Sequence, residues 1–194
     1  MPKPTLYYVR HGQTDWNAEL RFQGRQDIPL NDTGRAQARE NGLRMARLIG
    51  DPQKLAFVTS PLGRTRETME IIRAAMGLDP HAYEIDERLI EASYGLLEGT
   101  TLREFKAADP ASHKARKQGR WKFQPLQGES HEMVHQRIRE WFNTIERDTV
   151  VIGHGVVGRV LRYHLLGLEP DTAAEYIFPQ DRIFVWNEEG EKLV

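Results

Sequence analysis

Short runs of β-branched and aromatic residues recur along this chain, each leading through a polar, glycine- or proline-bearing turn into a helical pattern, and that order leaves few architectures open. Thr5 to Val9 is short and rich in strand-forming residues and reads as a first strand. The stretch from Asp15 to Leu30 is loop-like, with Asn17, Gly24 and Pro29. A helix then follows, capped by Asn31 or Asp32, with Ala38, Gly42, Met45 and Ile49 on one face and its end at Gly50-Asp51-Pro52. Leu55 to Thr59 is a second strand, after which Ser60-Pro61 offers a capping hydroxyl before a proline suited to a first helical turn. Thr65, Met69, Ile72 and Met76 line the next helix. Thr149 to Ile152 is a third strand, entering a helix marked by Val157, Val160, Leu161 and Leu165, and Ile183 to Trp186 is a fourth. Strands alternating with helices predict an α/β fold, a three-layer sandwich with a largely parallel central sheet flanked by helices.

Between Leu102 and Ile145 no strand is legible, so the segment at about 100–130 reads as a helical and loop insertion rather than core. Its basic part runs from His113 to Lys122, and a clearer helix with Val134, Ile138, Trp141 and Ile145 on one stripe follows it. At 194 residues, one domain spanning 1–194 is the expectation. The 27 Lys and Arg nearly cancel the 28 Asp and Glu, so no global field draws the chain to nucleic acid or an anionic membrane. Cysteine is absent, which removes disulfides, thiolate zinc sites and thiol nucleophiles. The start Met1-Pro2-Lys3-Pro4 leads into only a short apolar run, so no signal peptide or membrane span is expected and a cytoplasmic location is. Oligomeric state is open, a homodimer included.

Four separated pieces each put a proton-transferring or phosphate-compatible group near a strand end, where α/β enzymes keep their chemistry. Arg10-His11-Gly12-Gln13-Thr14 follows the first strand: Arg10 offers a planar fork suited to phosphate oxygens, and Gly12 would let a ligand approach the main chain. Arg64 lies at a helix start, where the backbone dipole also favours an anion. Glu91 stands beside an aromatic and a glycine turn in Glu91-Ala92-Ser93-Tyr94-Gly95, and His154 sits between strand and helix in Gly153-His154-Gly155. The natural guest of such a set is a phosphoryl group.

The ordered set resembles the phosphoglycerate mutase-like histidine phosphatase superfamily over nearly the whole chain. The match takes in Arg10-His11-Gly12-Gln13-Thr14 with Asn17, Phe22-Gln23-Gly24 with Asp27-Ile28-Pro29-Leu30 and Gly34, and Thr59-Ser60-Pro61-Leu62 with Arg64 and Thr68. It continues through Glu91, Tyr94-Gly95, Glu98-Gly99 and Gly128-Glu129-Ser130 to Gly153-His154-Gly155. The chain departs from the family at Leu97, where a tryptophan is common, and at Gly153, where a second serine is; both departures point to pocket lining. The resemblance implies a metal-independent phosphomonoester hydrolase that uses no cofactor and passes through a phosphohistidine at His11. Arg10, Asn17, Arg64, His154 and Gly155 would hold the phosphoryl oxygens. Glu91 would protonate the leaving alkoxide and then take a proton from the attacking water. Gln23, Trp16 and Tyr94 are candidates for substrate contact, and the insertion would cover the active site and select a small phosphorylated metabolite. A mutase with a bisphosphorylated cofactor is the alternative. The resemblance gives such mutases a longer insertion and a longer tail shielding the phosphohistidine from water, whereas 40 residues follow His154 here. A module that only binds a phosphorylated ligand or protein is a third reading, opposed by the full catalytic set.

Two motifs point elsewhere. His131-Glu132-Met133-Val134-His135 fits a two-histidine zinc pattern, but Val134 belongs to the buried stripe, so a solvated flanking face accounts for both histidines and no metal site is expected. Gly153-His154-Gly155-Val156-Val157-Gly158 fits a dinucleotide fingerprint, yet only 36 residues follow Gly158, too few for the remaining strands. The basic run with Trp121 invites nucleic acid; a solvated helix face is the preferred reading. Some of Lys114, Arg116, Lys117, Arg120 and Lys122 are expected to meet an anionic substrate tail.

Overall fold

The structure, a computed structural model, describes residues 4–194; the Met1-Pro2-Lys3 start lies outside them. One six-stranded sheet runs in the order β3 (Glu84–Ile85), β2 (Ala56–Thr59), β4 (Thr149–Gly153), β1 (Leu6–Arg10), β5 (Phe184–Asn187), β6 (Gly190–Leu193). The first four are mutually parallel, while β5 runs antiparallel to β1 and forms a hairpin with β6. The predicted α/β class and largely parallel sheet are therefore present.

Strand β4 is central and buried along its whole length, so it carries no polar alternation. Alternate residues of the inner strands feed two cores. Val9, Phe57, Val150 and Ile152 face Met45, Met69 and Ile72 of helices α2 (Asp32–Leu48) and α3 (Gly63–Ala75). Tyr8, Val58, Val151 and Phe184 face Val134, Ile138, Val157 and Leu161 of α6 (His131–Phe142) and α7 (Gly155–Leu166). Full burial of each such side chain contributes about 1.5–3 kcal/mol, so slipping β4 by one residue would exchange its two faces and misplace every strand-end group together.

Several local expectations change. The stretch after Thr14 is not all loop: α1 (Asp15–Ala18) forms on a capping box between Thr14 and Asn17. Ser60 does not cap α3, which begins at Gly63 with no side-chain cap from Leu62. Asp27, from a different loop, takes that role by accepting from Gly63 N at 2.8 Å and Arg64 N at 3.4 Å. The dipole of α3 is thus already met by a carboxylate of the chain, so it is not free for an anionic ligand. The segment at 100–130 holds α4 (Leu102–Ala108) and α5 (Pro110–Gln118), but it is not separate from the core, because Trp121 joins the α6/α7 cluster. Trp121 is buried and packs its ring on His131 and Tyr163.

Gly12 is required by packing rather than by ligand approach. A Cβ there would lie 2.3 Å from the backbone oxygen of Gly34, on α2. Gly153 likewise does not open the pocket: the space a side chain would take is filled by Tyr8, whose hydroxyl lies 2.6 Å from the Cβ position and donates to His154 O at 2.5 Å.

Candidate active site

Parallel pairing sets Arg10 beside Gly153 and Thr59 beside Ile152, so β1, β2 and β4 end together. The residues just beyond those ends are His11, Ser60 and His154. Two bonds extend the ladder past the strands, from His11 N to Gly153 O at 3.0 Å and from Ser60 N to Ile152 O at 3.3 Å. Three side chains distant in sequence are thereby fixed on the sheet's own backbone.

His11 is buried, and its Nδ1 lies 2.8 Å from Gly12 O. A carbonyl can only accept, so Nδ1 carries the proton and Nε2 keeps its lone pair. Burial, then Arg64, then Arg10 hold the His11 pKa well below the usual histidine range, which keeps the ring neutral. The His154 ring meets it edge-on at 5.3 Å between centroids and is likewise held neutral by burial first and Arg64 second. His154 Nδ1 is 3.3 Å from Arg64 Nη2, a donor, so Nε2 carries the proton and donates to Ser60 Oγ at 2.7 Å. Both nitrogens of His154 are engaged, and it lies behind the residues that line the cleft.

Arg64 is almost fully buried, and burial lowers its pKa to about 10 against the attraction of Glu91 and Asp27. Its Nη1 donates to Gln26 O at 2.6 Å and its Nη2 to Gly24 O at 2.8 Å. With the Gln23 amide turned to satisfy its neighbours, its oxygen accepts from Arg64 Nε at 3.0 Å and its NH2 donates to Thr14 Oγ1 at 2.8 Å. Gln23 therefore braces the arginine. Arg10 donates from Nη1 to Phe178 O at 2.9 Å, while its buried Nε has no partner. That orphan donor lies 3.8 Å from where a Cβ on Gly155 would be. An unpaired buried N–H costs about 1–3 kcal/mol, a cost that an anionic oxygen in the cleft would remove.

Glu91 is fixed at both oxygens: Oε1 accepts from Ala92 N at 2.9 Å and Oε2 from Val156 N at 3.2 Å, in the first turn of α7. The cleft is lined by Arg10, His11, Asn17, Gln23, Arg64, Glu91, Tyr94 and Gly155, and has a volume of about 100 Å³. Sites that enclose a whole small molecule run to roughly 300–1,000 Å³, so this one fits a phosphoryl group and leaves the rest of its carrier at the rim. Tyr94 packs on Phe22 at 4.9 Å; Trp16 does not line the cleft and instead lies against Gly99.

Arg21 and Arg159 also line the cleft, although neither belongs to a motif singled out in the sequence. Arg159 is four residues beyond Gly155 on α7, a helical repeat of a residue already singled out, so its position was open to inference. Of the five basic insertion residues, Lys114, Lys117 and Lys122 are exposed, while Arg116 and Arg120 turn inward. Arg116 lies over the Phe22 ring at 5.6 Å. Arg120 is lowered to about 10 by burial and by Arg159, and its buried Nε has no partner. Both inward arginines line a recess with Tyr94 and His131.

The two histidines of the zinc-like pattern are not on a solvated face, as their flanking position had suggested. His131 is buried under Trp121, and His135 faces Tyr163 edge-on with its Nε2 3.4 Å from His164 Nδ1. No three His, Cys, Asp or Glu side chains among the described residues converge to hold a metal. No helix among them is long and apolar enough to cross a membrane. In the dinucleotide-like run, Gly158 is a packing residue, since a Cβ there would lie 2.8 Å from the Tyr8 ring.

Residues 6–192 match the model of the histidine phosphatase superfamily, branch 1. Among curated proteins, a probable phosphoglycerate mutase GpmB of Erwinia tasmaniensis is 36% identical over 168 residues, covering 84% of this chain and 75% of that one. Among solved structures, YhfR of Bacillus stearothermophilus superposes with a TM-score of 0.80 at 29% identity, covering 99% of this chain and 96% of the other. A mycobacterial glucosyl-3-phosphoglycerate phosphatase in complex with VO3 gives 0.79 at 26% identity, with 99% and 98% covered. The neutral, buried histidine pair beside Arg64 is thus set in a fold and sequence shared with these proteins, and the chain belongs to the histidine phosphatase superfamily as a phosphatase enzyme.

Proposed function

We propose that the chain acts as a single catalytic domain that hydrolyses small phosphomonoesters without a metal, through a phosphohistidine on His11. The observation that carries this reading is the His11 Nδ1 bond to Gly12 O, which leaves Nε2 as an unprotonated nucleophile toward the arginine-lined cleft. Nε2 attacks phosphorus, the bond from phosphorus to the ester oxygen breaks, and Glu91 gives that oxygen its proton. Water then attacks phosphorus and passes a proton to Glu91, the N–P bond breaks, and inorganic phosphate leaves. Arg10 and Arg64 offset charge on the transferring oxygens, with Asn17 and the Gly155 turn beside them. His154 would donate to the phosphoryl group from Nδ1 once that nitrogen takes a proton and Arg64 Nη2 turns from it toward the phosphoryl oxygens.

The two inward insertion arginines and Arg159 favour substrates with a second anionic group beyond the ester, since Arg120 Nε is a buried donor without a partner. Phosphatase is preferred to mutase because the small cleft leaves the carrier at an open rim, where water competes for the phosphohistidine. The deciding experiment is hydrolysis of para-nitrophenyl phosphate with excess chelator, native protein against His11→Ala, with rapid quenching to trap acid-labile phosphate on the chain. Chelator-resistant turnover and labelling, both absent in His11→Ala, are expected. Turnover that chelation abolishes, or that His11→Ala retains, would overturn the reading. Interconversion of phosphoglycerates in the presence of bisphosphoglycerate would instead establish the mutase.

A further inference from the structure

Gln180 belongs to none of the motifs and sits 169 residues from His11, in the loop between α8 (Pro170–Glu175) and β5. Its side-chain amide nevertheless donates both of its hydrogens into the phosphate site, to His11 O at 3.0 Å and to Asn17 Oδ1 at 2.9 Å. Asn17 Oδ1 also accepts from Thr14 N at 3.2 Å. With two donors on that oxygen, the Asn17 amide has one orientation, and its NH2 is the end left for the cleft. Turned the other way, Asn17 would offer an acceptor to phosphoryl oxygens that are themselves acceptors.

The loop is held firmly enough to impose this. Arg159 Nε donates to Tyr176 O at 2.7 Å, Arg10 Nη1 to Phe178 O at 2.9 Å, and the fully buried Asn41 donates to Gln180 O at 3.0 Å. Arg44 holds the carbonyl of Asp181, the next residue. We infer that Gln180 is a positioning residue of the phosphate site, fixing the amide of Asn17 and the backbone of His11 from a strap that also anchors Arg10. The inference rests on the proposed role of Asn17 as a donor to a phosphoryl oxygen.

The test is a mutant cycle on the full chain with para-nitrophenyl phosphate, read as kcat and KM separately, together with competitive inhibition by inorganic phosphate and thermal midpoint. Gln180→Met keeps the side-chain length and removes both donors. It is expected to lower kcat/KM about tenfold and weaken phosphate inhibition while leaving the midpoint within a few degrees. In an Asn17→Ala background the same change should cost less than twofold, because the group it orients is gone; a merely structural role would cost the same in both backgrounds. An unchanged Gln180→Met enzyme, or a full tenfold loss on top of a costly Asn17→Ala, would overturn the positioning role alone. A fully active Asn17→Ala would remove the reading of Asn17 as a phosphate ligand, and this inference with it, leaving the His11 chemistry intact. Should Gln180→Met not fold, Gln180→Glu serves: placing acceptors against two acceptors, it is expected to lose more than tenfold, and full activity in it would equally overturn the proposal.

Discussion

The two ends of the cleft are built on opposite terms. At the strand ends, Arg64 makes hydrogen bonds to two backbone carbonyls and Gln23, Glu91 is held at both oxygens, and both rings of the histidine pair are fixed by partners, with Arg10 Nε left as an unpaired donor among them. At the insertion rim, buried polar atoms wait without partners, at Arg120 Nε and His131 Nε2, and the charged groups there repel one another. A site whose charges and rings are held in place spends little reorganisation on the reaction itself. An unsatisfied rim gains most from a ligand that supplies the missing acceptors. Under the proposed function, chemistry would sit at the sheet and choice of substrate at the insertion.

The sharpest way to break this division is Arg64→Gln, which should lower kcat for para-nitrophenyl phosphate roughly 10²–10³-fold, the cost of losing a positive charge held in place beside the reacting group; a loss confined to KM would show that Arg64 acts in binding alone. Gly12→Ala should destabilise the fold by about 3 kcal/mol in urea titration, because the backbone oxygen of Gly34 cannot yield to a Cβ at 2.3 Å. Next comes acid stability. Burial and nearby arginines hold His131 at about 3, below the usual 6.5. Above pH 6.5 it is neutral folded or unfolded and contributes nothing; as pH falls below that, only the unfolded chain takes the proton, and stability is lost progressively toward pH 3. By pH 4.5 this amounts to about 2–3 kcal/mol, so urea midpoints of His131→Gln should fall less between pH 7 and 4.5 than those of the parent; parallel slopes would contradict it.

Smaller effects separate the rim from the sheet. Arg120→Gln should raise KM about tenfold for phosphomonoesters carrying a carboxylate or second phosphate, close to 1.4 kcal/mol, and leave kcat for the aryl ester unchanged. An equal loss on both substrates would merge the two regions. Lys117→Gln, exposed on α5, should change either parameter less than twofold; a larger change would mean that the outer cations also reach the substrate.

Sequence periodicity reveals a strand or helix where one face is buried over several residues, which is why β1, β2, β4 and the stripes of α2, α3, α6 and α7 were legible. Strand β3 was not, because its two residues are both exposed and owe their conformation to the edge offered by β2. Helix α1, at four residues, shows only in the reciprocal bonds of Thr14 and Asn17. His11, Arg64, Glu91 and His154 were named from strand ends and ordered motifs, and they meet in space. Ser60 reads as a cap because a proline follows it, whereas its hydroxyl oxygen accepts a hydrogen bond from His154 Nε2. Gln180 had no local signal, since what it does depends on a contact closed by the whole sheet.

The packing of Tyr8 into the space beside Gly153 ties two positions on neighbouring strands into one inheritance. A lineage could place a serine at 153 only after a smaller residue had replaced the tyrosine, and the His154 carbonyl would then need another donor. Related chains should therefore divide into two groups at this pair, tyrosine with glycine or a small residue with serine, with mixed forms rare because each would be less stable than either parent.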